Sequence, residues 1–340
     1  MRLMRTEDAV GQILCHDITQ IIRGVTKDAV FCKGHIISEE DIPVLLSVGK
    51  EHIYIWENNE NMLHENDAAQ ILCDICKNEH MRPSEIKEGK IELIAECDGL
   101  LKMDTEKLNR INSLGEMMIA SRHGNFPVKA GDKIAGTRII PLVIEKEKME
   151  HAKKVGGGAP IFEIMPYQKK KAGIVTTGNE VFHGRIQDTF TPVILEKLSE
   201  YDVEIVGNEI SDDNHERITA CIQGLLDAGA DMIICTGGMS VDPDDRTPLA
   251  IRNTGADIVT YGAPVLPGAM FLLAYYGEQK IPVMGLPGCV MYAKRTIFDL
   301  VLPRIMAGEV LEKKELDILG EGGLCLSCPV CTFPNCGFGK

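Results

Sequence analysis

No apolar run in this chain reaches the roughly 20 uninterrupted residues that a bilayer-spanning helix needs. The longest, such as Pro264 to Ala274, are broken by an internal Pro and Gly. Positive charge is also short. Against 50 Asp and Glu stand 36 Lys and Arg, and the formal charge of −14 argues against general affinity for nucleic acid or an acidic membrane surface. A local basic pocket is compatible with that balance. The opening MRLMRTEDAVG is basic but runs into Glu7 and Asp8 without an apolar signal core, so no export is expected. The glycine groups include neither the GxGxxG of a dinucleotide fold nor the GxxxxGK of a phosphate loop. No Ser-His-Asp order marks a covalent nucleophile.

What is present is an ordinary globular composition, 44% hydrophobic and 25% charged, over 340 residues, enough for two or more domains. Twelve cysteines without an export signal read as reduced thiols of a cytoplasmic protein, some of them free to take metal. Residues 1–80 look like a small mixed α/β unit. His52-Ile53-Tyr54-Ile55-Trp56 favours a strand, and Ile36 to Ile42 a strand followed by a helix with Ser38 as N-cap and Asp41 completing an approximate capping box. Leu45, Leu46 and Val48 close the apolar face of that helix. Residues 81–150 read as β-rich, with Val128 to Gly136 a strand–turn–strand signal, and the charged run Glu145 to Lys154 reads as a solvated helix. A linker over 151–169 contains Gly156-Gly157-Gly158 as a hinge.

From 170 to 312 short β-branched runs alternate with helical patterns, the βαβ signature of a three-layer α/β/α domain. Strands are expected at Gly173–Thr177, Asp202–Ile210, Asp231–Cys235, Asp257–Val259 and Ile281–Met284. Helices are expected at Thr191–Tyr201, Asn214–Ala228 and Val290–Met306. Residues 313–340 form a cysteine-rich tail.

Two constellations carry the chemistry. In the first, Thr177-Gly178-Asn179-Glu180 follows a strand end, where open α/β sheets place their ligands, and Glu180 is suited to a Mg²⁺ shared with phosphate or to positioning a water. It could equally be a surface loop residue. Asp188 is either a ligand or the cap of the next helix. In the second, Thr236-Gly237-Gly238 and Ser240 offer backbone and hydroxyl donors to an anion beside Asp242, Asp244 and Asp245. Three acids cannot face one phosphate without a cation, which points to Mg²⁺ with Asp245 foremost; an acidic surface loop is the plainer alternative. Pro267-Gly268 and Pro287-Gly288 add two turns expected to lead into helices. In the tail, Cys325, Cys328, Cys331 and Cys336 follow a C-x2-C-x2-C-x4-C spacing that suits Zn²⁺ or an iron–sulfur cluster, although a ferredoxin run has three residues before its last cysteine. Cys73 and Cys76 read more simply as buried small side chains.

Taken together, TTGNE at 176–180, GRIQDT at 184–189, SDD at 211–213, TGGMSVDPDD at 236–245, PG at 267–268 and GLPG at 285–288 resemble the molybdopterin-binding domain of molybdenum cofactor biosynthesis proteins. Within that family the nearest functional pattern is molybdopterin molybdenumtransferase. The resemblance implies insertion of molybdate into adenylylated molybdopterin with AMP release and Mg²⁺ assistance. Glu180 and Asp245 would be the catalytic acids and, with Asp242, metal ligands. Thr177, Gly178, Asp188, Thr236, Gly237, Gly238, Ser240, Pro267, Gly268, Pro287 and Gly288 would bind the pterin phosphate. The resemblance also implies a homo-oligomer, with a molybdoenzyme client or another cofactor-biosynthesis protein as partner. The chain departs from the pattern at Asn179, Phe190 and Cys289, at Pro267-Gly268-Ala269-Met270, where a lysine is usual, and in lacking a Ser-Ala-Met-Asp-Gly loop. The alternative is a non-catalytic molybdopterin carrier or chaperone.

Overall fold

The computed structural model describes residues 2–22, 26–55 and 60–340. The chain divides into two compact units, one of 1–96, 103–122 and 131–163, the other of 97–102, 123–130 and 164–340. The second unit takes in two short stretches in which the strands Gly99–Met103 and Phe126–Val128 pair with one another.

The first unit is built of small antiparallel pairings. Arg2–Arg5 pairs with His52–Ile55, as the β-branched content of the latter suggests; Trp56 lies outside the described residues. A four-stranded sheet joins Met81–Pro83, Lys90–Ala95, Lys133–Ile139 and Met117–Ser121. The helix expected after Ser38 starts later, at Asp41, with Glu40 rather than Ser38 as its N-cap. Ser38 does give its backbone N–H and hydroxyl to Asp41 at 2.8 and 2.9 Å, so the sequence signal reports a local turn ahead of the helix. Leu45 is buried in that helix while Leu46 is exposed. The charge run forms the helix Lys146–Gly156, which continues into the segment expected to be a linker. The strand Phe162–Pro166 follows in the same segment.

The second unit carries a six-stranded sheet. In chain order its strands are β1 (Lys170–Thr177), β2 (Val203–Ser211), β3 (Met232–Thr236), β4 (Asp257–Tyr261), β5 (Leu272–Tyr276) and β6 (Ile281–Leu286). Their spatial order is β2-β1-β3-β6-β5-β4. β1 is parallel to β2 and β3, and β3 to β6, whereas β5 runs antiparallel to both β6 and β4. The helices that accompany the sheet are α1 (Asn179–Phe182), α2 (Phe190–Leu198), α3 (His215–Asp227), α4 (Thr247–Asn253) and α5 (Ile297–Met306), and a further short helix, Lys313–Asp317, follows them.

Successive residues of each inner strand face opposite sides of the sheet, and both sides are apolar. Ile174, Ile234, Leu273 and Met284 pack with Ile194 and Leu198 of α2 and with α5. Their neighbours Val175, Ile233, Leu272 and Val283 pack with Ile218 and Ile222 of α3 and Ala250 and Ile251 of α4. The domain therefore has three layers, α/β/α, as expected from the sequence.

Three elements differ from expectation. β5 is absent from the expected strands, because Leu272 to Tyr276 is apolar on both faces and shows no alternation. α4 is a single short stretch with a proline in its first turn. The helix expected from Val290 begins at Ile297, where Thr296 and Asp299 form a reciprocal capping box, and Gly288–Met291 is a separate 3-10 turn.

Candidate functional site

The chain leaves β1 for β2 on one side and later returns to place β3 on the other side of β1. The crevice at the carboxyl ends of β1 and β3 is thus a topological switch point, where open α/β sheets take ligands.

β1 ends in Thr176 and Thr177, both buried. The Thr247 hydroxyl donates to the Gly237 carbonyl at 2.9 Å, so it accepts from Thr177, whose Oγ1 lies 3.0 Å away. This pair of hydroxyls ties the turn after β1 to the turn after β3. Gly237 and Gly238 have φ of 86° and 55°. A Cβ on Gly237 would stand 2.1 Å from the Thr177 carbonyl oxygen, so the two strand ends meet this closely only because the residue is glycine. Met239 is buried and lies against Gly285, where a Cβ would come within 2.5 Å of its methyl carbon. The GLPG turn after β6 is thereby locked against the same crevice.

The acidic turn after β3 folds back on itself. Asp245 accepts from the Ser240 N–H at 2.7 Å and gives its own N–H to the Asp242 carbonyl at 2.9 Å. Asp242 receives the Asp244 N–H at 3.0 Å. Tyr261 buttresses the turn by donating its hydroxyl to the Met239 carbonyl at 2.9 Å. After β2, Asp213 accepts the Asn179 N–H at 3.0 Å and so anchors the start of α1.

A cavity of about 310 Å³ opens between these turns. Thr177, Gly178 and Glu180 line it from β1, Asp213 from β2, Gly237, Gly238, Ser240 and Asp245 from β3, and Pro287 and Gly288 from β6. Phe190, Met239 and Met270 supply apolar surface. Among the described residues no lysine or arginine lines it. Burial pushes the Asp213 carboxyl above the ordinary aspartate range against the Asn179 N–H hydrogen bond, and the nearby Glu180, Asp245 and Asp212 raise it further.

Most residues expected at a ligand site meet here, including Glu180 and Asp245. Thr236, Asp188, Asp242, Pro267 and Gly268 do not line the cavity. Asp188 caps α2, accepting the N–H groups of Phe190 and Thr191 at 2.8 and 3.1 Å. Thr236 is a buried residue of β3, and the side chain of Asp242 shapes its own turn. Pro267-Gly268 precedes β5 rather than a helix, and Gly268 packs against Ile297. Asp213 is the acid that sequence reading leaves without a role, although SDD marks its position. Among the described residues, no three His, Cys, Asp or Glu side chains stand arranged to hold a metal ion, and no helix is long and apolar enough to cross a membrane.

Residues 173–307 match a family profile described as "Probable molybdopterin binding domain". Over this stretch, and not over the whole chain, the sequence is similar to that family. Outside this domain, residues 3–57 match a domain of unknown function, DUF8806. A CinA-like protein from Mycobacterium avium is 39% identical over 90 residues, 26% of this chain and 21% of that protein. The chain thus spans about a fifth of the length of these CinA-like relatives. A molybdopterin molybdenumtransferase from Synechococcus elongatus is 24% identical over 180 residues, 51% of this chain and 42% of that enzyme. Among solved structures, the molybdopterin biosynthesis enzyme MoaB from Thermus thermophilus is 23% identical, with 41% of this chain and 98% of that chain covered at a TM-score of 0.33.

Proposed function

We propose that the molybdopterin-binding domain holds a pterin phosphate in the crevice at the ends of β1, β3 and β6 and acts in molybdenum cofactor biosynthesis, as a molybdenumtransferase. The observation that carries this reading is the meeting of Glu180, Asp213 and Asp245, from three separate strand ends, around one cavity floored by a double-glycine turn. Backbone N–H groups and the hydroxyls of Thr177 and Ser240 suit phosphate oxygens, and Phe190, Met239 and Met270 suit the flat face of a pterin.

Three carboxylates without a basic partner repel an anion, so the ligand has to come with a cation. The donor set fits Mg²⁺, which takes oxygen ligands and is held through one or two carboxylates plus phosphate and water rather than a full protein cage. Glu180, Asp213 and Asp245 would hold it. When bound it would neutralise phosphate and molybdate oxygens. The chain's own groups then orient the phosphate on the turn after β3.

A second reading, a carrier that binds molybdopterin for a client molybdoenzyme without turning it over, is favoured by the lack of a lysine at Ala269-Met270 and in the cavity lining. Incubation with adenylylated molybdopterin, molybdate and Mg²⁺ separates the two. AMP release matched by molybdenum incorporation supports the transferase, tight binding without AMP release supports the carrier, and no binding overturns both.

A further inference from the structure

The four tail cysteines are spaced suggestively in sequence; in the fold all four line one cavity. Cys325, Cys328, Cys331 and Cys336 surround a space of about 430 Å³ within the second unit, apart from the crevice described above. No disulfide consumes them. The tail is fixed at both ends. The Cys325 N–H donates to the Leu266 carbonyl at 2.8 Å, and Leu266 returns its N–H to Gly323 at 2.8 Å. At the other end Phe338 is buried, Phe333 meets it edge to face at 6.2 Å between ring centroids, and the Arg295 guanidinium lies 5.0 Å over the Phe333 ring. Between these anchors Leu326 to Thr332 is exposed and has no helix or strand of its own. Packing thus fixes the ends of the segment and leaves its middle to another source of order.

We infer that these four thiols ligate an iron–sulfur cluster. The four cysteines line a volume of about 430 Å³, more than a single ion fills. A single tetrahedral ion with bonds of about 2.3 Å draws its four sulfurs to within about 4 Å of one another. A polynuclear cluster, by contrast, occupies a volume between its ligands. The rim supplies the complementary charge. Lys294 and Arg295 line the same cavity, and Lys294 also donates to the Pro329 carbonyl at 3.2 Å, holding the loop that carries Cys328 and Cys331. Thiolate-bound clusters are anionic overall, and cations at the rim offset that charge. On ligation each thiol gives up its proton, with ferrous and ferric iron and sulfide supplied from outside the chain, so that no electron has to come from or go to the protein. Cluster binding here is independent of pterin binding in the crevice.

The full chain is purified without oxygen, then reconstituted with a mixture of ferrous and ferric iron and sulfide, and its iron, acid-labile sulfide, zinc and visible absorption are measured. Cys328→Ser and Cys331→Ser remove exposed ligands that contribute nothing to the core, and Cys32→Ser removes an exposed thiol elsewhere. The expected result is iron and sulfide in equal amounts with a broad visible charge-transfer band, lost by more than half in either tail variant and kept in Cys32→Ser. Far-UV circular dichroism checks that the tail variants stay folded. Zinc without sulfide, no metal at all, or a cluster unaffected by both tail variants would overturn the inference. Pterin binding, measured separately on the same variants, distinguishes failure here from failure of the crevice reading.

Discussion

Asp213 shows how a single side chain can report on its surroundings. Its carboxyl is raised above the ordinary range by burial, with Glu180 and Asp245 adding to the shift. A carboxyl whose folded pKa is raised contributes stability below the unfolded value, about 3.9, and loses it as pH rises through the folded value. In the metal-free protein Asp213→Asn should therefore raise the denaturation midpoint at neutral pH and leave it nearly unchanged in acid. The same proton competes with a cation, so Mg²⁺ affinity should fall as pH drops through the Asp213 range, and the variant should bind Mg²⁺ several-fold more weakly. Titration calorimetry at two pH values checks both directions; pH-independent Mg²⁺ affinity would remove Asp213 from the site. Gly237→Ala tests the close approach of β1 and β3. The positive φ alone should cost about 1–3 kcal/mol, and the 2.1 Å contact adds to it. Denaturant unfolding should show a loss of at least that size. Glu180 and Asp245 were legible in sequence because each follows a β-branched run ending in glycine. Asp213 was not, since Ser-Asp-Asp before a helix equally signals a cap.

Elements divide by whether they are local or depend on their neighbours. The parallel strands and α3 were legible because each carries its own period and, for α3, a capping residue, Asn214, that accepts two backbone N–H groups. β5 was hidden because a strand covered on both faces has no alternation. The late start of α5 was written in Thr296-x-x-Asp299 but obscured by the apolar run ahead of it. Asp188 is the case where the sequence left two roles open and the structure places the side chain on the first turn of α2. Asp188→Ala should cost about 1 kcal/mol of domain stability, typical of a lost N-cap, while leaving Mg²⁺-dependent pterin affinity within two-fold. Equilibrium unfolding and ligand titration on the same sample test this. A large loss of affinity with stability unchanged would return Asp188 to the ligand site.

Across the whole chain, the cysteines and buried acids set the chemical behaviour of the two units. Cys32, Cys328 and Cys331 are exposed, whereas Cys73, Cys76 and Cys235 are buried. Burial pushes the thiols of Cys73 and Cys235 up to about 11 and about 12. Alkylation of the metal-free native protein at pH 8, followed by peptide mass mapping, should label the exposed three first and the buried three only on unfolding. In the first unit burial raises Glu65 to about 6, from an ordinary 4.5, despite the opposing charge of Arg138. Its contribution to stability is complete below 4.5 and lost as pH rises through 6, so Glu65→Gln should stabilise above pH 6 by up to about 2 kcal/mol and have little effect near pH 4. Equilibrium denaturation at the two pH values reads this.

The central claim is that acids from separate strand ends share a cation beside an anionic pterin. It is tested most directly by titrating molybdopterin into the wild type and a folded Glu180→Ala/Asp245→Ala variant, each with and without Mg²⁺. The expected result is a ten-fold or greater gain in wild-type affinity on adding Mg²⁺ and no gain in the variant. Equal affinity in all four titrations would contradict the account.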